Sequence, residues 1–410
     1  MDLFTKCFEY ARADQAKALD VYPYFHRLTS GQDNIVEIEG RRTIMLGSNN
    51  YLGLTSDERV KRAAIAAVEQ YGSGCSGSRF LNGNLDLHED FERDHADFIG
   101  KEACLTFSTG YQSNLAIISA ITGRNDYILS DSFNHASIVD ASRLSFAKTI
   151  KYKHNDMDEL ERLLSKCAEE AKGGILIVTD GVFSMEGEIC NLPEIVRLAK
   201  QYGARTLVDD AHALGVLGKT GAGTAEHFGL NDEVDLIMNT FSKSYASLGG
   251  CVLGDAKVVN YIKHVSRPFI FSASMPPALV GAARESLNIL RDEPERVSRL
   301  HQITSLMKER LSEYPYVRVH QNGNDIVPII PLMTGTITNT LYAAKLLLEA
   351  GVYVNPVLPP AVQDGSCLLR TSYTATQSDE LLQEAAAIIG GVFQYIHDNP
   401  LPAELSGIEI

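Results

Sequence analysis

Between about residues 46 and 285, short apolar runs alternate with amphipathic stretches. The runs Gly174 to Thr179, Thr206 to Asp209, Leu236 to Met238 and Cys251 to Leu253 have the length of single strands. Their nearly unbroken apolar character predicts strands covered on both faces. Between the first two lies Pro193 to Tyr202, opened by proline and closed by Gly203, which predicts a helix. Met157 to Ala168 predicts another, with Asp156 as its cap and Leu160 and Leu163 on its apolar side. Strands and helices in alternation predict βαβ units and a largely parallel sheet.

The flanks read differently. Residues 1 to about 45 begin helically and continue into Val36 to Arg42, which has the pattern of a hairpin. Beyond about 290 come one long charged helix, Glu293 to Glu313, then the apolar run Val327 to Leu332, a helix near Asn339 to Ala350 and a strand at Leu368 to Ser372. Three zones are expected: an N-terminal arm over 1–45, a large α/β domain with a mainly parallel central sheet over 46–285, and a smaller α+β domain over 286–410. No internal repeat or low-complexity segment interrupts them.

Composition narrows the class. The 410 residues are 45% hydrophobic and 22% charged, the balance of a soluble globular protein. A net charge of -15 disfavours nucleic acid, because phosphate neutralisation needs clustered Lys and Arg. The seven cysteines are scattered, odd in number and form no CxxC pair, which argues for a reducing compartment and against disulfides or a metal site. The first residues, Met1 to Lys6 and on through Asp14 and Lys17, lack the apolar core of a signal peptide, and no run nears the roughly 18 apolar residues of a membrane span. The expected location is cytoplasmic.

Candidate chemistry sits where strands end. Lys243 follows Ile237 to Thr240 among small hydroxyl residues, where a desolvated amine can become a Schiff-base nucleophile. Asp209, the most telling carboxylate, ends the run from Arg205, with His212 three residues on; its bland competitor is that Asp209 or Asp210 caps a helix. Gly110 and Tyr111 follow the run Ala103 to Phe107 and open a helix, a phosphate cradle or an ordinary turn. His135 follows Tyr127 to Ser130 and could stack on a planar ring or shuttle protons, and Ser184 lies in a glycine turn. Arg370 emerges from an apolar strand as a natural carboxylate clamp or a structural ion pair, and Asn49 sits in the turn-rich stretch 47–54. Each has a bland competitor. Their shared placement at the strand ends of one sheet favours a ligand site.

At this point the chain resembles the α-oxoamine synthase family of fold-type I pyridoxal phosphate enzymes, from about Tyr22 to Phe393. The specific stretches are SNNYLGL at 48–54, GSGCSGSRFLNGNLDLH at 72–88, STGYQSN at 108–114, NHAS at 134–137, DGVFSMEG at 180–187, DDAHALG at 209–215 and TFSKS at 240–244. GSRFLNG, GRNDYIL at 123–129 and HFGLNDEVDLIM at 227–238 are most similar to the bacterial serine palmitoyltransferases. The resemblance implies that Lys243 carries the cofactor as a Schiff base and takes the α-proton. It puts Asp209 at the pyridine nitrogen, His212 and Ser184 at the ring oxygen, and His135 over the ring and at the substrate carboxylate. Gly110, Tyr111, Thr240 and Ser242 would hold the phosphate, with Ser272 or Ser274 reaching the phosphate of a neighbouring subunit; Asn49 and Arg370 would face the amino acid carboxylate.

It implies a homodimer with shared active sites. The implied reaction is a decarboxylative condensation of L-serine with a long-chain acyl-CoA, palmitoyl-CoA foremost, giving 3-ketodihydrosphingosine, CoA and CO2, the first step of sphingolipid synthesis. Peripheral membrane contact for product release is compatible with it. Two alternatives stand: a sister synthase using glycine or alanine with another acyl thioester (of the 8-amino-7-oxononanoate synthase or 2-amino-3-ketobutyrate CoA ligase type), and a non-catalytic partner subunit. Gln377 and Tyr245 stand where the family often has histidine and leucine, which bears on acyl-chain preference.

Overall fold

The structure is a computed structural model that describes residues 2–324, 326–363 and 365–405; the expected outer limits of the first and last zones, residues 1 and 410, lie outside these. Thirteen strands are named in chain order among the described residues: β1 Ile35–Ile38, β2 Arg41–Met45, β3 Ala103–Phe107, β4 Tyr127–Asp131, β5 Lys148–Tyr152, β6 Ile175–Asp180, β7 Arg205–Asp209, β8 Leu236–Thr240, β9 Gly250–Gly254, β10 Ile329–Gly335, β11 Val352–Tyr353, β12 Asn355–Val357 and β13 Cys367–Ser372. The chain divides into two compact units, Asn49–His301 and the pair of segments Met1–Ser48 with Gln302–Ile410.

The larger unit is built on a seven-stranded sheet in the order β3-β9-β8-β7-β6-β4-β5. All neighbours pair in parallel except β9, which runs antiparallel to both β3 and β8. Every residue of β4, β6, β8 and β9 is buried, as a sheet covered by helices on both faces requires. One apolar cluster joins Leu105, Ile128, Val178, Leu207 and Met238 with helix Gly110–Ile121; another joins Leu129, Ile177, Val208, Ile237 and Leu253 with helices Met157–Glu170 and Leu192–Tyr202. Alternate strand residues thus enter opposite layers, and these layers hold the strand ends in place.

The smaller unit has two three-stranded sheets, β1-β2-β11 and β10-β13-β12. Its core gathers Ile44, Leu46, Met307, Leu332, Leu347, Leu369 and Ile389.

The predicted hairpin at 36–42 forms as antiparallel β1 and β2. Two expectations about the divisions differ from what is found. The N-terminal residues do not stand apart as an arm, because β2 pairs in parallel with β11 and their apolar residues enter the smaller unit's core. The expected boundary at 285/286 falls inside helix Pro277–Asp292, which packs on helix Glu58–Tyr71 in the larger unit. The close helix pairing explains this: a Cβ on Gly281 would lie 2.8 Å from the Ala63 carbonyl oxygen and 3.0 Å from Ala67 Cβ.

Candidate functional site

Parallel strands present their carboxyl ends to one edge of the sheet, and loops there collect polar side chains that the core would not tolerate. In the larger unit these ends enclose a cavity of about 260 Å³. Eight of the predicted residues line it: Gly110 and Tyr111 from the helix after β3, His135 after β4, Asp209 and His212 at the end of β7, and Thr240, Ser242 and Lys243 at the end of β8. Tight turns hold Lys243 in place: Ala246 N–H donates to the Lys243 carbonyl at 3.0 Å, and Ser247 N–H to the Phe241 carbonyl at 2.9 Å.

Asp209 is 3% exposed, and both its oxygens accept hydrogen bonds. Ala211 N–H donates to Oδ1 at 3.0 Å and Asn114 Nδ2 to Oδ2 at 2.7 Å. The ambiguity between Asp209 and Asp210 resolves here. Asp210 turns away and accepts from Thr224 Oγ1 at 2.6 Å and Thr224 N–H at 2.9 Å, anchoring helix Thr224–Phe228. Burial pushes its carboxyl up to about 7 against those two bonds, and the nearby Asp209 adds to the rise.

His135 is the N-cap of helix Ala136–Ser145, with its ring 6.3 Å from the Tyr111 ring in an edge-on arrangement. Burial pulls its imidazole below the usual range; Asp209 opposes that and the Lys243 amine reinforces it. The Tyr111 hydroxyl bonds to Asp140. Thr240 Oγ1 lies 3.0 Å from Ser242 Oγ and donates to the Gly249 carbonyl at 3.0 Å. Gly110 stands against this pair: a Cβ there would come within 2.7 Å of Thr240 Oγ1, so only glycine lets the helix N-terminus approach the hydroxyls so closely.

The other predicted residues lie elsewhere. Asn49 does not line the cavity but is wired to it, since Tyr51 Oη donates to Asn49 Oδ1 at 3.2 Å and lies 2.7 Å from His212 Nδ1. Ser184 lies in the loop after β6, outside the cavity lining. Ser272 and Ser274 line a separate recess of about 10 Å³ with Arg79 and His88, and Ser274 Oγ donates to the Gly77 carbonyl at 3.1 Å. Arg370 belongs to β13 of the other unit, where it is buried and donates to Ser372 Oγ at 2.7 Å. Of the two departures from the family pattern, Tyr245 is fully buried and stacked on Phe241, with ring centroids 5.9 Å apart, and Gln377 is buried with Nε2 3.4 Å from the Met45 carbonyl. Neither lines the cavity.

Several residues that shape the site carried no assignment from sequence. Asp180 lines the cavity, and its Oδ1 accepts from His135 N–H at 3.4 Å. Burial raises its carboxyl well above the usual range and Asp209 adds to this; the His135 N–H and Lys243 pull the other way. Asn114 and Tyr51 hold Asp209 and His212. All three lie in quoted motifs, and no local spacing marks them, because their partners are far away in sequence.

No group of His, Cys, Asp or Glu among the described residues could hold a metal ion, and no described helix is long and apolar enough to cross a membrane.

The aminotransferase class I and II family model matches residues 41–389. Serine palmitoyltransferase of Sphingobacterium spiritivorum is 50% identical over 93% of this chain and 94% of its own length. The 8-amino-7-oxononanoate synthase of Thermoanaerobacter pseudethanolicus is 40% identical over 91% of this chain and 93% of its own. A solved structure of serine palmitoyltransferase with pyridoxal phosphate as the internal aldimine is 33% identical, covers 97% of this chain and 100% of that one, and superposes with a TM-score of 0.92. The chain therefore belongs to the aminotransferase class I and II family, among the fold-type I α-oxoamine synthases.

Proposed function

We propose that this protein is a pyridoxal phosphate-dependent acyltransferase that condenses L-serine with a long-chain acyl-CoA, palmitoyl-CoA foremost, releasing CoA and CO2 and yielding 3-ketodihydrosphingosine. One observation carries the reading: an amine, a doubly bonded carboxylate and a buried imidazole meet in one cavity with a glycine-opened helix and two hydroxyls.

Pyridoxal phosphate fits these side chains. Lys243 would tether its aldehyde, Asp209 would face its ring nitrogen, and His135 would cover the ring. His212 and Ser184 are assigned to the ring oxygen, and Gly110, Tyr111, Thr240 and Ser242 to the phosphate, where helix N–H groups favour an anion. When bound, the cofactor supplies an electron sink for negative charge developing at the amino acid α-carbon.

The chain's own residues do the rest. His135 and Asn49 would hold the serine carboxylate, and Arg370 keeps the same assignment from the resemblance. Fixing that carboxylate would direct the Cα–H bond towards Lys243 Nζ, which would take the proton. Asp209, pinned by two hydrogen bonds, is pre-set to face positive charge on the ring nitrogen without reorganising. The second unit of a homodimer would bring Ser272 or Ser274 to the neighbouring phosphate, which accounts for their standing outside the cavity of their own chain. Peripheral contact with a membrane would suit release of so apolar a product.

CoA release by the purified enzyme, followed across L-serine, glycine and L-alanine and across acyl-CoA lengths, tests this. L-serine with a long-chain thioester should give the highest kcat/KM. Saturation of the cofactor spectrum by glycine but not by serine would overturn the named substrate in favour of a sister synthase. The retained Lys243, Asp209 and His135 argue against a non-catalytic subunit.

A further inference from the structure

His135 is joined to Asp209 through two buried side chains, Ser137 and Asn114. Ser137 Oγ lies 2.7 Å from His135 Nδ1, and Ser137 N–H also points at Nδ1 from 3.3 Å. Asn114 Nδ2 lies 2.9 Å from the same Ser137 Oγ and 2.7 Å from Asp209 Oδ2. Asn114 and Ser137 are 0% and 1% exposed, so water does not compete for these bonds.

The proton count follows from the inventory of donors. A carboxylate only accepts, so Asn114 must present its NH2 to Asp209, and its second N–H goes to Ser137 Oγ. Its Oδ1 accepts nothing among the described residues, so the amide is held through its two N–H groups. With its oxygen accepting from Asn114, Ser137 turns its O–H towards His135 Nδ1. The Ser137 N–H converges on the same nitrogen. Two donors aimed at Nδ1 require a lone pair there, and a neutral imidazole then carries its proton on Nε2, across the ring from Ser137. The depression of the His135 pKa by burial is consistent with a neutral ring.

We infer that Asn114 and Ser137 are positioning residues that lock His135 as the Nε2–H tautomer and, through the same amide, couple that tautomer to the orientation of Asp209. The inference rests on the proposed reading of the site for its consequence: a substrate carboxylate at His135 meets an N–H donor and not a lone pair. The opposite tautomer would set two acceptors against each other.

Neutron diffraction from deuterium-exchanged crystals of the holoenzyme reads the tautomer directly. Deuterium at Nε2 and none at Nδ1 of His135 is expected; deuterium at Nδ1 overturns the inference. Kinetics give a second readout. Ser137→Ala should raise the KM for L-serine on the order of tenfold while leaving the acyl-CoA KM and the melting temperature close to those of the parent, and Ser137→Thr, which restores the hydroxyl, should recover most of it. An equal loss in Ser137→Ala and Ser137→Thr, or one confined to stability, would mean a packing role only. Nε2 deuterated in an enzyme that turns over glycine but not serine upholds the relay and overturns the substrate assignment, so the two failures are distinguishable.

Discussion

Lys243 reaches the cavity because β8 ends at Thr240 and a tight turn follows; its neighbours Phe241 and Ser244 are buried and hold that turn from beneath. Lys243→Ala should therefore purify folded, lack the absorbance of the tethered cofactor and lose turnover by at least about 10²–10⁴-fold, the usual worth of a positioned general base. A variant keeping both absorbance and turnover would refute the assignment. Asp209→Asn keeps the shape but sets an amide NH2 or carbonyl where Asn114 and Ala211 now donate. Its holoenzyme is expected to bind the cofactor weakly and show a kcat lowered by at least about 10²-fold, measured by titration and single turnover. Residues such as Lys243, Asp209 and His135 stood out in sequence because each lies at, or within four residues of, the end of an apolar run. Asn114, Ser137 and Asp180 did not, since each is defined by a partner on another strand or helix, and a single sequence holds no record of that pairing.

At the scale of elements, the ends of β4, β5 and β6 are tied together by one imidazole. His154, just past β5, lies 2.9 Å from Asp131 Oδ1 at the end of β4 and 3.0 Å from Glu188 Oε2 in the loop after β6, with its ring stacked 4.3 Å from Phe133. Burial works against the charged ring, yet the hydrogen bonds that its two N–H groups donate to Asp131 and Glu188 win and push its pKa up to about 9. A raised histidine stabilises the fold fully below its ordinary value of about 6.5, and that contribution disappears as pH rises through about 9. The melting temperature should thus fall between those values more steeply in the parent than in His154→Gln; parallel curves would show that the clamp adds nothing. Helix packing gives a second measurement. Gly281→Leu drives atoms into the Ala63 carbonyl and should cost about 1–3 kcal/mol in denaturant unfolding.

Most strands were readable from apolarity to within a residue or two: the run Gly174 to Thr179 became β6 Ile175–Asp180. The long helix expected from Glu293 was less so. It begins at Glu295, because Pro294 excludes its predecessor from helical geometry, and Glu293 sits at φ -126°, ψ 56°. The preceding helix Pro277–Asp292 belongs to the larger unit, and only its packing on Glu58–Tyr71 reveals that.

Across the whole molecule, apolarity and alternation predicted a parallel sheet with a smaller α+β part, but not how the chain is shared between them. β2 and β11 pair Ile44 with Val352, a contact between distant segments that leaves no periodic trace in either. The proposed homodimer is checked by sedimentation of the holoenzyme, which should run at twice the chain mass of 44.9 kDa; a monomer with full activity would remove the shared-site arrangement. The pairing of β2 with β11 also sets an order of events at the ribosome. β1 and β2 are made well before β11 and the helices whose apolar residues cover them. The segment Asn49–His301 can collapse on its own sheet while the earlier hairpin waits with the apolar side chains of Ile44 and Leu46 uncovered. The hairpin is thus buried long after it is made, and a chaperone acting during synthesis would find its target there.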